Sequence, residues 1–488
     1  MAYVTSTVSP PTPPALQAPT SRNRWWVLVV VALTQLVVVL DGTIVNIALP
    51  QAQESIGLSD VERQWVVTAY ALCFGALLLL GGRIADYWGR KRTFMVGMIG
   101  FGLASGYGGL VDSGTELIVA RGLQGVFAAL MAPAALAILT TTFPGGKDRI
   151  TAFAIFGSIA GAGAGVGLVL GGVLTEFASW RWCLLVNVPI VAVAVLAGAF
   201  LLKESRAEGD KTYDWIGAVL VILGLGSLVY GFTRAEHGWG HADVLGFIGG
   251  GAVLLALFVF SQTKVAHPLL PLRVINHRVR AGALLLQAVA GTVMIGAMLY
   301  VTLHLQIVLA FSPLEAGLAS LPLTVVIGVV APVLAKFLPV TGPRVIMIVG
   351  PVLGAGAMLY LSRLTADGSY AVQVLPALVL LGVGMAMMFV PMQNLALVGV
   401  EPHDAGVASA ATNAAMQIGG SIGLAIFTAV YASASAGGMT VDALVDGYSA
   451  AFVATAVTLL VGMVVAIVCI RGSKEELMPS ADGVVHLG

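Results

Sequence analysis

This sequence predicts an all-α membrane protein of fourteen transmembrane helices, arranged as six, an inserted two and six. Three observations carry that expectation. First, 10% of the 488 residues are charged and 58% are hydrophobic, with a mean hydropathy of +0.96. A soluble domain carries about 25% charged residues, so this chain cannot cover a water-facing surface, and soluble enzymes, nucleic-acid binders and disordered proteins are excluded. Second, fourteen apolar segments follow one another, each close to the roughly 20 residues that a helix needs to cross a bilayer. They are 25–48, 62–82, 93–111, 115–140, 149–175, 183–202, 215–233, 243–262, 281–309, 315–335, 345–363, 371–392, 406–432 and 447–470. Third, with the N-terminus in the cytoplasm, every Lys and Arg except Arg63, Arg121, Arg181, Arg234 and Arg363 falls in a cytoplasmic segment, as retention of basic loops requires. An even span count puts both termini on that side. All eight tryptophans lie at or near predicted span ends, where the ring prefers the headgroup level.

Taken in order, residues 1–23 form a Pro/Ser/Thr-rich tail expected to be disordered. It lacks the basic start of a cleavable signal, so the run from Trp25 remains as the first span. A first bundle of six spans is expected over 24–203. Residues 204–280 hold the inserted helix pair and its two longer cytoplasmic connections, 281–471 the second six-span bundle, and 472–488 a cytoplasmic tail. The two bundles read as a repeat. GVFAALMAPAALAILTTTFP at 125–144 resembles VGMAMMFVPMQNLALVGVEP at 383–402, with Pro133 and Pro144 matched by Pro391 and Pro402 at one constant offset. Internal repeats of this kind build many transporters.

Within the spans, polar residues are few enough to weigh singly. Asp41 is the one acidic residue well inside a predicted span. A charged carboxylate at bilayer depth costs about 2.5–3.5 kcal/mol on insertion scales, so it must be partnered, protonated or solvated. Counting 1.5 Å per residue, Asp41 lies about 12 Å, and Arg121 about 9 Å, inside the outer ends of their spans, and the two can meet at one level. At the repeat offset the second bundle carries Val379 and Gly382 in place of Arg121 and Gln124, so packing alone does not demand the charge. A static buried ion pair or polar packing anchor stays open beside a proton-handling role. Span five bears two glycine ridges, Gly157/Gly161/Gly165 and Gly163/Gly167/Gly171, followed by Gly172; successive members four residues apart form strips for close helix approach, and both sides of this helix are expected to be packed. Asn46, Gln124, His304, Gln306, Asn413 and Gln417 are candidates for the lining of a central substrate cavity.

Between spans two and three stands Gly82-Arg-Ile-Ala-Asp86-Tyr-Trp-Gly89-Arg90-Lys91-Arg92. Gly82 and Gly89 suit a tight turn, and Asp86 suits hydrogen bonds from a helix N-terminus. This segment resembles the cytoplasmic loop motif G-x-L-a-D-x-x-G-R-K of the major facilitator superfamily. Leu40-Asp41-Gly-Thr-Ile-Val-Asn46-Ile-Ala-Leu-Pro50, Arg121-Gly-Leu-Gln124-Gly125 and Gly167-Leu168-Val-Leu-Gly171-Gly172 are similar to motifs of its fourteen-span drug:proton antiporter branch, as are Trp180-Arg181-Trp182 and Asn187-Val-Pro189. Leu168 departs from a proline in that pattern.

The resemblance covers nearly the whole chain after residue 22. It implies a conformational latch at Gly82, Asp86, Gly89, Arg90 and Lys91, and proton transfer involving Arg121. It also implies export of a hydrophobic drug, antibiotic or dye against protons by alternating access in the bacterial plasma membrane. The expected partners are that small hydrophobic substrate, protons and the lipid bilayer, without nucleic acid, and the chain is expected to act as a monomer. No GxxxxGK[ST] loop, HExxH or histidine cluster occurs, so no ATP-driven pump, cofactor or metal site is expected. Proton symport, export of one physiological metabolite and a non-transporting membrane sensor remain alternative readings at this stage.

Overall fold

The computed structural model describes residues 21–144, 146–207, 213–235, 238–400, 404–435, 440–472 and 474–477; most of the two expected tails lies outside them. Among the described residues, the long helices are α1 (Asn23–Ile56), α2 (Asp60–Trp88), α3 (Arg90–Gly108), α4 (Gly114–Thr142), α5 (Gly146–Phe177), α6 (Trp182–Leu201), α7 (Trp215–Arg234) and α8 (Ala242–Gln262). They continue as α9 (Arg278–Val308), α10 (Pro313–Thr341), α11 (Pro343–Leu361), α12 (Tyr370–Ala396), α13 (Gly406–Ala434) and α14 (Val441–Cys469). Thirteen are long and apolar enough to cross a membrane. The fourteenth, α3, opens on Arg90-Lys91-Arg92 and has 19 residues, about 28 Å of helix. It packs between α4 and α6 like its neighbours. Side-chain caps start several helices: Ser59 and Ser312 form capping boxes with Glu62 and Glu315, and Ser113, Thr440 and Asp214 cap α4, α14 and α7.

The packing follows the repeat in the sequence. In the first six helices α4 packs on α2 and α3, α1 on α5, and α3 on α6. In the last six, α12 packs on α10 and α11, α9 on α13, and α11 on α14. The two sets meet along two crossings, α2 with α13 and α5 with α10, which interchange under the same correspondence. The inserted α7 and α8 pack on each other, and α7 also touches both α2 and α13.

We call the end where α1 begins and α14 finishes proximal, and the opposite end distal. The bundles are joined distally. Gln306 Nε2 donates to the Ile47 carbonyl at 3.0 Å, and Glu176 accepts from Ser312 Oγ at 2.7 Å and from the Leu314 amide at 3.0 Å. A Cβ added at Gly172 would lie 2.6 Å from Leu314 Cα, and Gly317 faces the Leu168 carbonyl as closely. On its other side, α5 presses Gly167 and Gly171 against Thr43 and Ile44 of α1.

Both faces of α5 are thus packed, but only in its distal half. Gly165 makes ordinary contacts with Leu321 and Thr324, whereas Gly157 has nothing within 4 Å and is exposed. The expected packing at Gly157 fails because no partner helix follows this face of α5 that far, and residues 154, 155, 157 and 158 are exposed. Gly161 lies outside the residues whose surroundings are described.

The loop motif needs a larger correction. The residues expected to form a loop are almost all helical, since α2 runs to Trp88 and α3 starts at Arg90, leaving Gly89 alone as the turn. Gly89 has φ +130°, and a Cβ there would meet the Glu204 carboxylate at 2.6–2.8 Å, so glycine is required on two counts. Gly82 sits inside α2 in ordinary contact with Pro133; the close approach is made next door, where Gly81 presses on the Ala129 carbonyl. Asp86 does not cap a helix but pairs with Arg90 one turn on, at 3.0 Å. The α3 amides of Lys91 and Arg92 are capped instead by Glu204, at 3.1 and 3.2 Å.

Candidate proton-coupling site

At one level in the distal half of the first bundle, four helices and the start of a fifth bring polar groups together. Asp41 on α1 is fully buried and accepts three hydrogen bonds: from Arg121 Nη1 of α4 at 2.6 Å, Gln124 Nε2 at 2.8 Å and Asn187 Nδ2 of α6 at 3.0 Å. Arg121, 1% exposed, also gives Nη1 to Gln124 Oε1 at 2.9 Å and Nε to the Val66 carbonyl of α2 at 3.1 Å. Its guanidinium lies 4.5 Å from the centroid of the Tyr70 ring. Ser105 of α3 accepts from Gln124 and Asn187, each at 3.1 Å, and donates to the Leu184 carbonyl at 2.8 Å. The network offsets desolvation of the ion pair by occupying most of its lone pairs and donors.

The Asp41–Arg121 meeting estimated from depth is therefore present. Asn187, Ser105 and Tyr70 were missed. Asn187 stood inside a quoted motif, but nothing in a single helical asparagine tells which way it points. In the sister bundle the matching positions are apolar: Val379 is exposed, and Gly382 packs on Val326 and the Leu323 carbonyl.

The candidate cavity residues separate. Gln124 is not on an open wall, being wholly buried in the Asp41 network. His304 is 1% exposed, edge-on to Tyr448, and both ring nitrogens lack hydrogen-bond partners among the described residues. It opens a π-helical stretch, His304–Val308, that turns it into the second bundle. Gln306 is held in the distal seam by Ile47. Gln417 lies at the α2 crossing, its Cβ facing Gly75. Asn46 does not line an open wall either: it is 9% exposed and its Oδ1 is buried without a hydrogen-bond partner among the described residues, although Gly42, one turn earlier, is exposed. Asn413 is exposed and lies nine residues from Ile422, about 180° around α13, and Ile422 packs with α7. Asn413 thus points away from the inserted pair, into the inter-bundle opening.

In the former loop segment every bond made by the expected latch residues among the described residues stays within residues 82–207. Arg90 N donates to Ser205 O, Asp86 O accepts from Ala207 N, and Lys91 Nζ donates to Ala199 O at 2.7 Å.

A sequence model described as Major Facilitator Superfamily matches residues 31–424. The chain belongs to the Major Facilitator Superfamily. It is 46% identical over 412 residues to a puromycin resistance protein of Streptomyces alboniger, covering 84% of this chain and 82% of that one. It is also 35% identical over 404 residues to a tetracenomycin C resistance and export protein of Streptomyces glaucescens, across 82% and 75% of the two chains. Among solved structures, a bacterial homologue of the human lysosomal transporter Spinster, inward-facing and unoccupied, matches with a TM-score of 0.67. That match has 16% identity over 93% of this chain and 99% of the other, and shows the shared fold. The superfamily member described here is a multi-pass membrane transporter, not an enzyme.

Proposed function

We propose that this superfamily member is a proton-coupled exporter of hydrophobic antibiotics or drugs, acting as a monomer in the bacterial cell membrane with its proximal end in the cytoplasm. The observation that carries the reading is the fully buried Asp41–Arg121 pair, with Asp41 next in sequence to the exposed Gly42 of α1. Relatives named for resistance to puromycin, tetracenomycin C and lincomycin supply the substrate class. Puromycin-like solutes are the first choice, because that relative shares the highest identity of the three. We read the distal seam, together with the open surroundings of Gly157, as an inward-facing conformer. Rocking of one bundle against the other would exchange access, with a proton loading Asp41 from outside and leaving inside. Across 100 mV a proton carries about 2.3 kcal/mol, enough for a roughly 50-fold substrate gradient.

The latch reading of Gly82, Asp86, Gly89, Arg90 and Lys91 belongs to the opposite conformer, since none of their bonds reaches the second bundle in this one. The decisive experiment compares wild type with Asp41→Asn in cells and in proteoliposomes under an imposed pH gradient. Asp41→Asn is expected to express at wild-type levels, to restore drug sensitivity and to lose uphill export. Uphill export by Asp41→Asn with the pH difference as sole energy source would refute the coupling scheme.

A further inference from the structure

Asp41 is closed off from the inter-bundle opening and from the distal surface alike, so its proton needs a route. On the distal side of Arg121 the first bundle holds a void of about 10 Å³ accessible to the centre of a water-sized sphere, near the smallest space that holds one water. Its wall includes Val45, Ala48 and Ala52 of α1, Leu117 of α4, Trp180, Cys183 and Arg121 itself. From Val45 to Ala52 the void follows α1 for about 10 Å, towards the distal end and away from the exposed Gly42.

Two unused donors point to water there. Trp180 is 3% exposed, and its indole Nε1 has no partner among the described residues. Arg121 uses Nε and Nη1 on protein groups, while Nη2 makes no hydrogen bond among those residues. Buried donors in a water-sized space are satisfied by ordered water. Trp180 is itself pinned: its backbone amide donates to Gln51 Oε1 at 3.1 Å, and the Arg181 guanidinium lies 4.6 Å from its ring centroid. Around the carboxylate the ionisable neighbours are Arg121 from α4, Tyr70 from α2 and Cys183 from α6; Tyr70 O–H is a third buried group without a partner.

We propose that protons reach Asp41 from the distal end through the first bundle itself, along a water-holding path whose inner chamber is the void between Trp180 and Arg121. Substrate moves separately, between the bundles. The void is walled by Arg121 and not by Asp41, so the last transfer follows a swing of the guanidinium, its charge kept, off Asp41 Oδ2 and towards its other acceptors, Gln124 and the Val66 carbonyl. In this conformer the buried Leu49, Ala52 and Leu117 narrow the chamber on its distal side, which would limit a leak while the proximal side is open. The proposal rests on the exporter reading given above.

Two variants test it in the full chain reconstituted in proteoliposomes, with radiolabelled puromycin as probe: Ala48→Leu, which fills the chamber, and Trp180→Phe, which removes the water anchor but keeps the ring. Uphill uptake driven by a pH gradient should fall about tenfold in both, with puromycin counterflow at equal pH within about twofold of wild type. Unchanged uphill uptake, or parallel loss of counterflow in the milder Trp180→Phe, overturns the path. If wild type moves puromycin in neither assay, the substrate reading fails by itself. Acid-jump infrared spectroscopy of the solubilised chain then decides the path, with the Asp41 carboxyl band assigned by its loss in Asp41→Asn. Slower protonation in both variants is expected; wild-type rates in both overturn the proposal.

Discussion

At Asp41 a single side chain concentrates the cost of membrane burial, and three donors from two helices answer it. Removing one partner of a buried pair leaves the other charge stranded. Arg121→Leu should therefore lower unfolding stability by about 3–5 kcal/mol, measured by denaturant titration in micelles. In an Asp41→Asn background the same change should cost much less, so the double-mutant cycle should show strong coupling. Arg121→Lys keeps the charge but cannot serve Asp41, Gln124 and the Val66 carbonyl together, and should not restore uphill transport in a pH-gradient uptake assay. Additive stabilities in the cycle would mean that the pair is incidental. This pair was legible in the sequence because an ionisable residue inside a span is rare and helix rise fixes its depth. Asn187 and Ser105 were not, because amides and hydroxyls are common in spans and their convergence depends on how several helices are rotated.

Helices were the most legible feature, since apolar length, basic asymmetry and tryptophan position each mark a span independently. What lies between or inside them was harder. Glycine spacing showed which strips of α5 permit close approach, but not how far along the helix a partner follows. In this conformer Gly172 is against α10 and Gly157 faces open space. Equally, the Gly/Asp/Gly pattern near Gly89 suggested a loop, when helix geometry needed only one residue in a left-handed conformation and a carboxylate from a remote position, Glu204, to cap the next helix. The π segments of α9, Thr292–Ala297 and His304–Val308, left no periodicity by which to expect them. These differences give a paired test. Gly172→Val should cost about 1–3 kcal/mol by overpacking against Leu314, whereas Gly157→Val should stay within about 0.5 kcal/mol of wild type. Thermal unfolding of the two purified variants checks both, and equal losses would contradict a seam confined to the distal half.

The two crossings between bundles are related by the repeat, yet the whole molecule does not treat them alike. Beside the α2–α13 crossing stands α7, in contact with both helices, with Gln64 Nε2 donating to Thr233 Oγ1 at 3.2 Å in a buried position. Near the proximal end, Arg83 donates to the Pro268 carbonyl at 3.3 Å, and Arg273 in the same connection pairs with Asp404, just before α13, at 2.8 Å. Nothing comparable is attached beside α5 and α10, where exposed residues begin soon after Gly165 among the described residues. If the proposed rocking follows its softer side, the inserted pair would make the α2–α13 side the hinge and the α5–α10 side the wide gate. Spin labels on the proximal ends of α5 and α10 should therefore change separation more between apo and substrate-loaded states than labels on the proximal ends of α2 and α13. Breaking the strap with Arg273→Ala should narrow that difference by loosening the α13 side, read by the same pulsed electron-spin distance measurement. Equal excursions on both sides of the wild-type protein would show that the inserted helices ride passively on the bundles and that the repeat symmetry governs the motion.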